Sequence, residues 1–296
     1  MSPRSPTFHA IKLQKDRLLG FWVRFKKNKA ALFGLFIFIF FLIIAVFAPF
    51  LAPHDPFDMN LYDPDAPFKR PQSEYILGTD EFGRDQLSRL MYGARTSLFI
   101  GFLSTGVAFF IGVALGSIAG FYGGRVDNLI MRVVDIFLML PTFFMILVVA
   151  AVFGSNIWNV MWIMGLTGWP GLTRLVRAEF LAFKNMDFVL AAEGSGATDF
   201  HIIFREILPN AIFPAIVSAS MRVSGAIMTE SSLSFLGLGD PNAVSWGWIL
   251  NESMRAFRIA WWLSLFPGFC ITFLAIGFNL LGDGLNDALN PHLKER

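Results

Sequence analysis

Four stretches of this chain, residues 30–53, 96–124, 136–173 and 259–282, contain no Asp, Glu, Lys or Arg. A bilayer-crossing helix needs about 20 apolar residues, so every one of these runs is long enough to span. Only 24 basic and 22 acidic residues occur among 296, and 55% of the chain is hydrophobic. A water-soluble domain would be charged at nearer a quarter of its positions. The chain therefore reads as an all-α, multi-pass membrane protein whose first partner is the lipid bilayer. A net charge of +2 provides no basic field for nucleic acid, and none is expected as a ligand.

The spans follow from punctuation. The first, 30–51, is closed by Pro49 and Pro53, and the second lies within 96–122, ended by Gly123-Gly124. At 1.5 Å per residue the run 136–173 would cover about 57 Å, too much for one helix. It divides at Gly154-Ser155-Asn156, which predicts spans over 133–153 and 157–176. A fifth, 210–232, contains Arg222 and Glu230, and a sixth covers 261–281. Six transmembrane helices are expected, organised as a basic N-terminus (1–29), a first helix (30–51), an external loop (52–95) and a core of five helices (96–296).

Charge bias orients them. Arg4, Lys12, Lys15, Arg17, Arg24, Lys26, Lys27 and Lys29 precede the first span against Asp16 alone, which places both termini on the cytoplasmic side of the cell membrane. The first apolar run is too long for a cleaved signal, whose apolar core is about 7–15 residues. The loop 52–95 is then external, and Asp80, Arg84, Asp85 and Arg89 predict an ion-paired surface helix from Asp80 onward. Trp158, Trp246, Trp248, Trp261 and Trp262 would form an outer aromatic belt. Ala108, Gly112, Gly116 and Gly120, four apart, line one helix face and suit close packing by a neighbouring backbone.

Signs of chemistry are sparse. No Gly-Lys pair occurs, so there is no P-loop, and the four histidines fall outside the spans. The lone Cys270 sits in an apolar run and reads as core. The chain is not expected to be an enzyme or to hold a metal or cofactor. Arg222 and Glu230, eight apart, can point to one side of the fifth span, either lining a path or snorkelling to a surface. Asp135 reads as a boundary charge paired with Arg132 and is the third candidate for the path.

The inner segment 177–209 carries the clearest pattern. Gly194-Ser195-Gly196 divides it into two helices, Thr198 is placed to cap the second, and Pro209 to end it. Phe200, Ile203, Phe204 and Ile207 mark an apolar face, which serves equally for packing on the bundle or for docking a cytoplasmic protein.

Ala191, Ala192, Gly196, Leu208 and Pro209 match in register the coupling loop of ABC-transporter permeases, although Leu190 and Glu206 depart from its pattern. The stretches 77–98, 119–141, 230–239, 245–247 and 279–291, with 27–34, resemble in order the dipeptide/oligopeptide/nickel importer family, and within it the shorter, second permease subunit. The resemblance implies a type I ABC importer permease fold and a heterodimer with a homologous permease. It also implies two cytoplasmic ATPase subunits that use ATP and Mg, and a solute-binding protein outside. The coupling loop would be 188–209, with Ala191, Ala192, Glu193, Gly196, Ala197, Phe200, Leu208 and Pro209 as its ATPase-coupling residues. Di- or oligopeptides are the implied cargo, with nickel complexes or glutathione as alternatives. An ion-driven secondary carrier would instead need intramembrane carboxylates or inverted halves, for which Glu230 is the sole support.

Overall fold

A computed structural model describes residues 20, 22–59, 65–154 and 156–289. Arg4, Lys12, Lys15, Asp16 and Arg17 of the basic N-terminus, His9, His292 and Ser155 lie outside them. The described residues form no named strand.

Helix α1 (Lys29–Leu51) starts where Asn28 accepts the Ala31 N–H through Oδ1 at 3.1 Å. The same amide donates to Asp287 Oδ2 at 3.0 Å, tying α1 to the end of α11 (Trp262–Leu289). Gly34 and Gly277 permit their contact, since a β-carbon on Gly34 would lie 2.7 Å from the Gly277 carbonyl. The rest of α1 exposes Phe33, Phe36, Phe40 and Phe47, as a lipid-facing helix does.

Helix α2 (Gln86–Tyr122) is the central mast. It begins at Gln86 rather than at Asp80, because Asp80 Oδ1 accepts the N–H groups of Phe82 and Arg84 and folds 80–84 into a turn. Asp85 is the N-cap, accepting from Ser88 at 2.9 Å. The small-residue stripe packs on α6 (Pro170–Phe183): a β-carbon on Gly112, Gly116 or Gly120 would come within 2.6, 2.7 and 2.5 Å of Leu172, Thr173 and Phe180.

The expected span over 133–153 is two helices, α3 (Gly124–Met139) and α4 (Thr142–Phe153), bent by 79°. Pro141 lacks an N–H and forces Leu140 into extended backbone, so the helix breaks there. By contrast, α5 (Ile157–Gly168) runs into α6 through Trp169, whose dihedrals are helical. The inner segment supplies α7 (Asp187–Gly194) and α8 (Asp199–Ala211), and α9 (Phe213–Phe235) follows after a 59° bend. A short helix, α10 (Trp246–Met254), precedes α11.

Helices α1, α2 and α11 are each long and apolar enough to span alone, the bent pairs α3–α4 and α8–α9 raise the number to five, and with α5–α6 the helix count is consistent with six spans. The main core joins Leu90, Leu98, Val223, Trp246, Leu274 and Phe278, with Cys270 packed beside it. Two members of the expected belt are therefore core residues. Trp246 is fully buried with Nε1 donating to the Leu90 carbonyl at 2.9 Å, and Trp262 is also buried. Trp158 and Trp261 are exposed, as a belt requires. Asp135 pairs with Arg174 of α6 rather than with Arg132, since the neighbouring helix offers the nearer guanidinium.

Candidate functional site

The inner loop owes its shape to the pattern Ala191-Ala192-x-x-x-Gly196. Gly196 adopts φ +77°, the left-handed region that favours glycine, while a β-carbon there would meet nothing within 4 Å. Its conformation, and not lack of space, demands glycine. The Gly196 N–H donates to the Glu193 carbonyl at 2.9 Å and the Ala197 N–H to the Ala192 carbonyl at 3.1 Å. This pair of bonds is a Schellman cap, which closes α7 and turns the chain sharply into α8. Ala192 and Ala197 then sit against one cluster with Phe121, Val176, Phe180, Val189, Ile202 and Ile207.

Thr198 caps α8, accepting the His201 N–H at 3.3 Å. Residues Ile202–Ile207 are π-helical, and this wider turn alters the expected apolar stripe. Ile202, Ile203 and Ile207 point into the protein, whereas Phe200 is 71% and Phe204 49% exposed. Their rings pack together at 4.5 Å between centroids. Pro209 does not end the helix. It lies in the first turn of the α-helical stretch after the π turn, where its missing N–H costs little. Ala191, Glu193 and Pro209 are exposed, while Leu208 is half-buried against the inner cluster. The loop thus has an anchored side and an apolar, unpartnered side.

At the middle of the bundle lies a cavity of about 250 Å³, whose walls include Ser104, Thr105, Thr142, Gly168, Arg222 and Thr229. Arg222 is half-buried and forms no hydrogen bond or ion pair among the described residues; no Asp or Glu lines the cavity. Gly168 makes room for it, because a β-carbon there would stand 2.6 Å from Arg222 Nη2. Glu230 does not share this wall. It is buried on another side of α9, accepting from Ser234 Oγ at 2.7 Å, next to Ser245 of the loop that precedes α10. Eight residues of helix turn the two side chains about 80° apart, enough to separate them.

At the start of α2, Arg84 and Arg89 bridge Asp80 and Glu252 of α10 in a buried four-charge cluster. The expected surface helix is therefore a clamp. Glu252 had no sequence signal, being far from its partners along the chain, and Thr105 and Thr142 looked like ordinary span residues.

Three long apolar helices, two bent helix pairs long enough to span, the pair α5–α6 and the elbow between α6 and α9 make the architecture of a transport permease of the type I importer fold. Residues 112–295 match the family described as binding-protein-dependent transport system inner membrane component, and the chain belongs to it. Residues 18–71 match the N-terminal TM domain of oligopeptide transport permease C. The dipeptide transport system permease protein DppC of Escherichia coli (strain K12) is 44% identical over 282 residues, covering 94% of each chain. DppC of Bacillus subtilis (strain 168) is 40% identical over 92% of this chain and 85% of its own length. The glutathione transport system permease protein GsiD of Pectobacterium atrosepticum is likewise 40% identical, over 93% of this chain and 91% of its own. The fold is also that of a chain in the inward-facing MetNI methionine ABC transporter, at a TM-score of 0.54 and 18% identity, covering 69% of this chain and 96% of that one.

Proposed function

We propose that the chain forms one half of the translocation path of a peptide importer, with a homologous permease as the other half, and that residues 188–209 couple it to cytoplasmic ATPase subunits. The carrying observation is the elbow itself: a Schellman-capped turn anchored on one side, with Phe200 and Phe204 exposed together on the other. An exposed aromatic pair on a rigid support is suited to insertion in a partner's groove. Ala191, Ala192, Glu193, Gly196, Ala197, Leu208 and Pro209 shape and present that pair. ATP binding closes the ATPases and moves the elbow, and the bent spans α3–α4 and α8–α9 change tilt around the cavity. Free energy passes through the different contacts the elbow makes with open and closed ATPases.

A solute-binding protein delivers cargo from outside, both termini face the cytoplasm, and the ATPases alone consume ATP and Mg. Arg222 lines the path; Glu230 braces α9 behind it, and Asp135 with Arg174 sits toward its inner mouth. The GsiD relative favours glutathione as a second cargo, itself a small peptide. Replacing Gly196 with Leu or Ala192 with Phe tests the reading in proteoliposomes holding the full complex. ATP hydrolysis uncoupled from uptake, with membrane insertion intact, is expected; undiminished uptake rejects the role of the elbow.

A further inference from the structure

The cavity at mid-bundle has an unbalanced set of polar groups. Ser104 Oγ donates to the Ile100 carbonyl at 2.7 Å, and Thr229 Oγ1 to the Gly225 carbonyl at 2.8 Å, so both hydroxyl protons are taken within their own helices. Thr105, Thr142 and Arg222 have no such partner among the described residues, and their donors are free to face the space. Thr142 is also the first residue of α4, so the positive end of that helix dipole lies at the wall. No carboxylate offsets these groups.

Depth restricts the source of a counter-charge. Arg222 lies near the midpoint of α9, Thr105 near that of α2, and Thr142 at the break between α3 and α4. An unpaired guanidinium at this level is costly, and such groups face a water-filled cavity and mark a ligand path. A lipid headgroup sits at the bilayer surface, well above and below.

We infer that this cavity recognises a carboxylate on the passing cargo, with Arg222 as the charge partner and Thr105 and Thr142 as auxiliary donors. The inference rests on the peptide-permease reading and deepens it. A carboxylate only accepts hydrogen bonds and suits a site of free donors, and the planar guanidinium matches it. The C-terminal carboxylate is common to all unblocked peptides, so such a site tolerates different side chains. At about 250 Å³ the space holds on the order of eight waters, enough for a carboxylate and its adjoining residue. Ammonium groups find no acid in this wall, which gives the site a polarity for one end of a peptide.

The test compares uptake of one dipeptide as free acid and as C-terminal amide, in proteoliposomes holding the whole importer and saturating binding protein. The acid-to-amide ratio is measured for the wild type, Arg222→Gln, Arg222→Lys and Thr142→Val. Dividing each variant's ratio by the wild-type ratio cancels the selectivity of the binding protein. Arg222→Gln is expected to lower the ratio about tenfold, the scale of one charged hydrogen bond, with Arg222→Lys and Thr142→Val in between. An unchanged ratio in both Arg222→Gln and Thr142→Val overturns the inference, including the case in which acid and amide uptake fall equally because Arg222 pairs with an acid of the second permease. If Arg222→Gln fails to assemble, Thr142→Val decides alone. Wild-type complex that takes up neither peptide with ATP overturns the peptide reading, and this inference with it.

Discussion

Arg89 and Glu252 lie 2.6 Å apart, Nη2 to Oε2, although one is in the first turn of the long helix α2 and the other sits in the short helix α10. Glu252 Oε1 meanwhile receives Arg84 Nη2 at 3.1 Å. The cluster alternates in sign, so removing Arg89 leaves Asp80 and Glu252 to share the single counter-charge of Arg84. Arg89→Ala is expected to cost about 3–5 kcal/mol of stability, the scale for a broken buried pair. The double variant Arg89→Leu, Glu252→Leu should lose less than Glu252→Leu alone. Thermal unfolding in detergent measures both, and equal losses would show that the pair does not couple the two helices.

The contact between α2 and α6 sets a second expectation. Gly112→Leu or Gly116→Leu drives a side chain into Leu172 or Thr173, where even a β-carbon is too close. Overpacking of this kind costs about 1–3 kcal/mol or more. Gly106→Ala lies on the same helix with nothing within 4 Å and should be neutral or stabilising by up to about 1 kcal/mol. Unfolding midpoints that fall for all three would indicate a helix-wide effect instead of a specific seam.

The seam was legible in the sequence because four small residues at one spacing have few other uses in a span. Charge-free runs likewise mark every expected span except the fifth, which carries Arg222 and Glu230, since water exclusion acts along the whole of each run. The break at Pro141 was not read, because an unbroken apolar run disguises two half-helices. The elbow was read as two helices around Gly196, but the split between buried Ile203 and exposed Phe200 was lost to a π turn that a 3.6-residue period does not anticipate. Charge pairs over long separations leave no local trace in a sequence, which is why nearness along the chain favours Arg132 for Asp135 while the fold supplies Arg174, and why Glu252 carries no sequence signal.

Glu230 separates bracing from transport. Its carboxylate takes the Ser234 hydroxyl at 2.7 Å and fills a small space beside Ser245. Glu230→Ala leaves these hydroxyls without an acceptor and opens a void, a loss of about 1–3 kcal/mol for the unpaired polar group. Glu230→Gln keeps the shape and an acceptor oxygen and should lose less. Thermal unfolding is expected to rank the variants wild type, Gln, Ala; a Gln variant as unstable as Ala would point to the charge itself as the requirement.

The backbone of Gly196 offers the sharpest test of the elbow, because geometry and contact are separable there. At φ +77° an L-residue is strained by about 1–2 kcal/mol, yet Gly196→Ala introduces no clash, as the surrounding space is open. Gly194, two residues earlier, is also open but lies in α7 with ordinary helical dihedrals. Gly194→Ala should therefore preserve the cap, and a gain in helix propensity of up to about 1 kcal/mol is expected. Hydrogen exchange at the Ala197 amide, which donates to the Ala192 carbonyl, reads the cap directly. Faster exchange in Gly196→Ala but not in Gly194→Ala, with stimulated ATPase activity reduced in the first alone, ties the turn to coupling. Equal exchange in both would mean that the elbow holds its shape by packing on Val176 and Ile207, with the left-handed turn secondary to it.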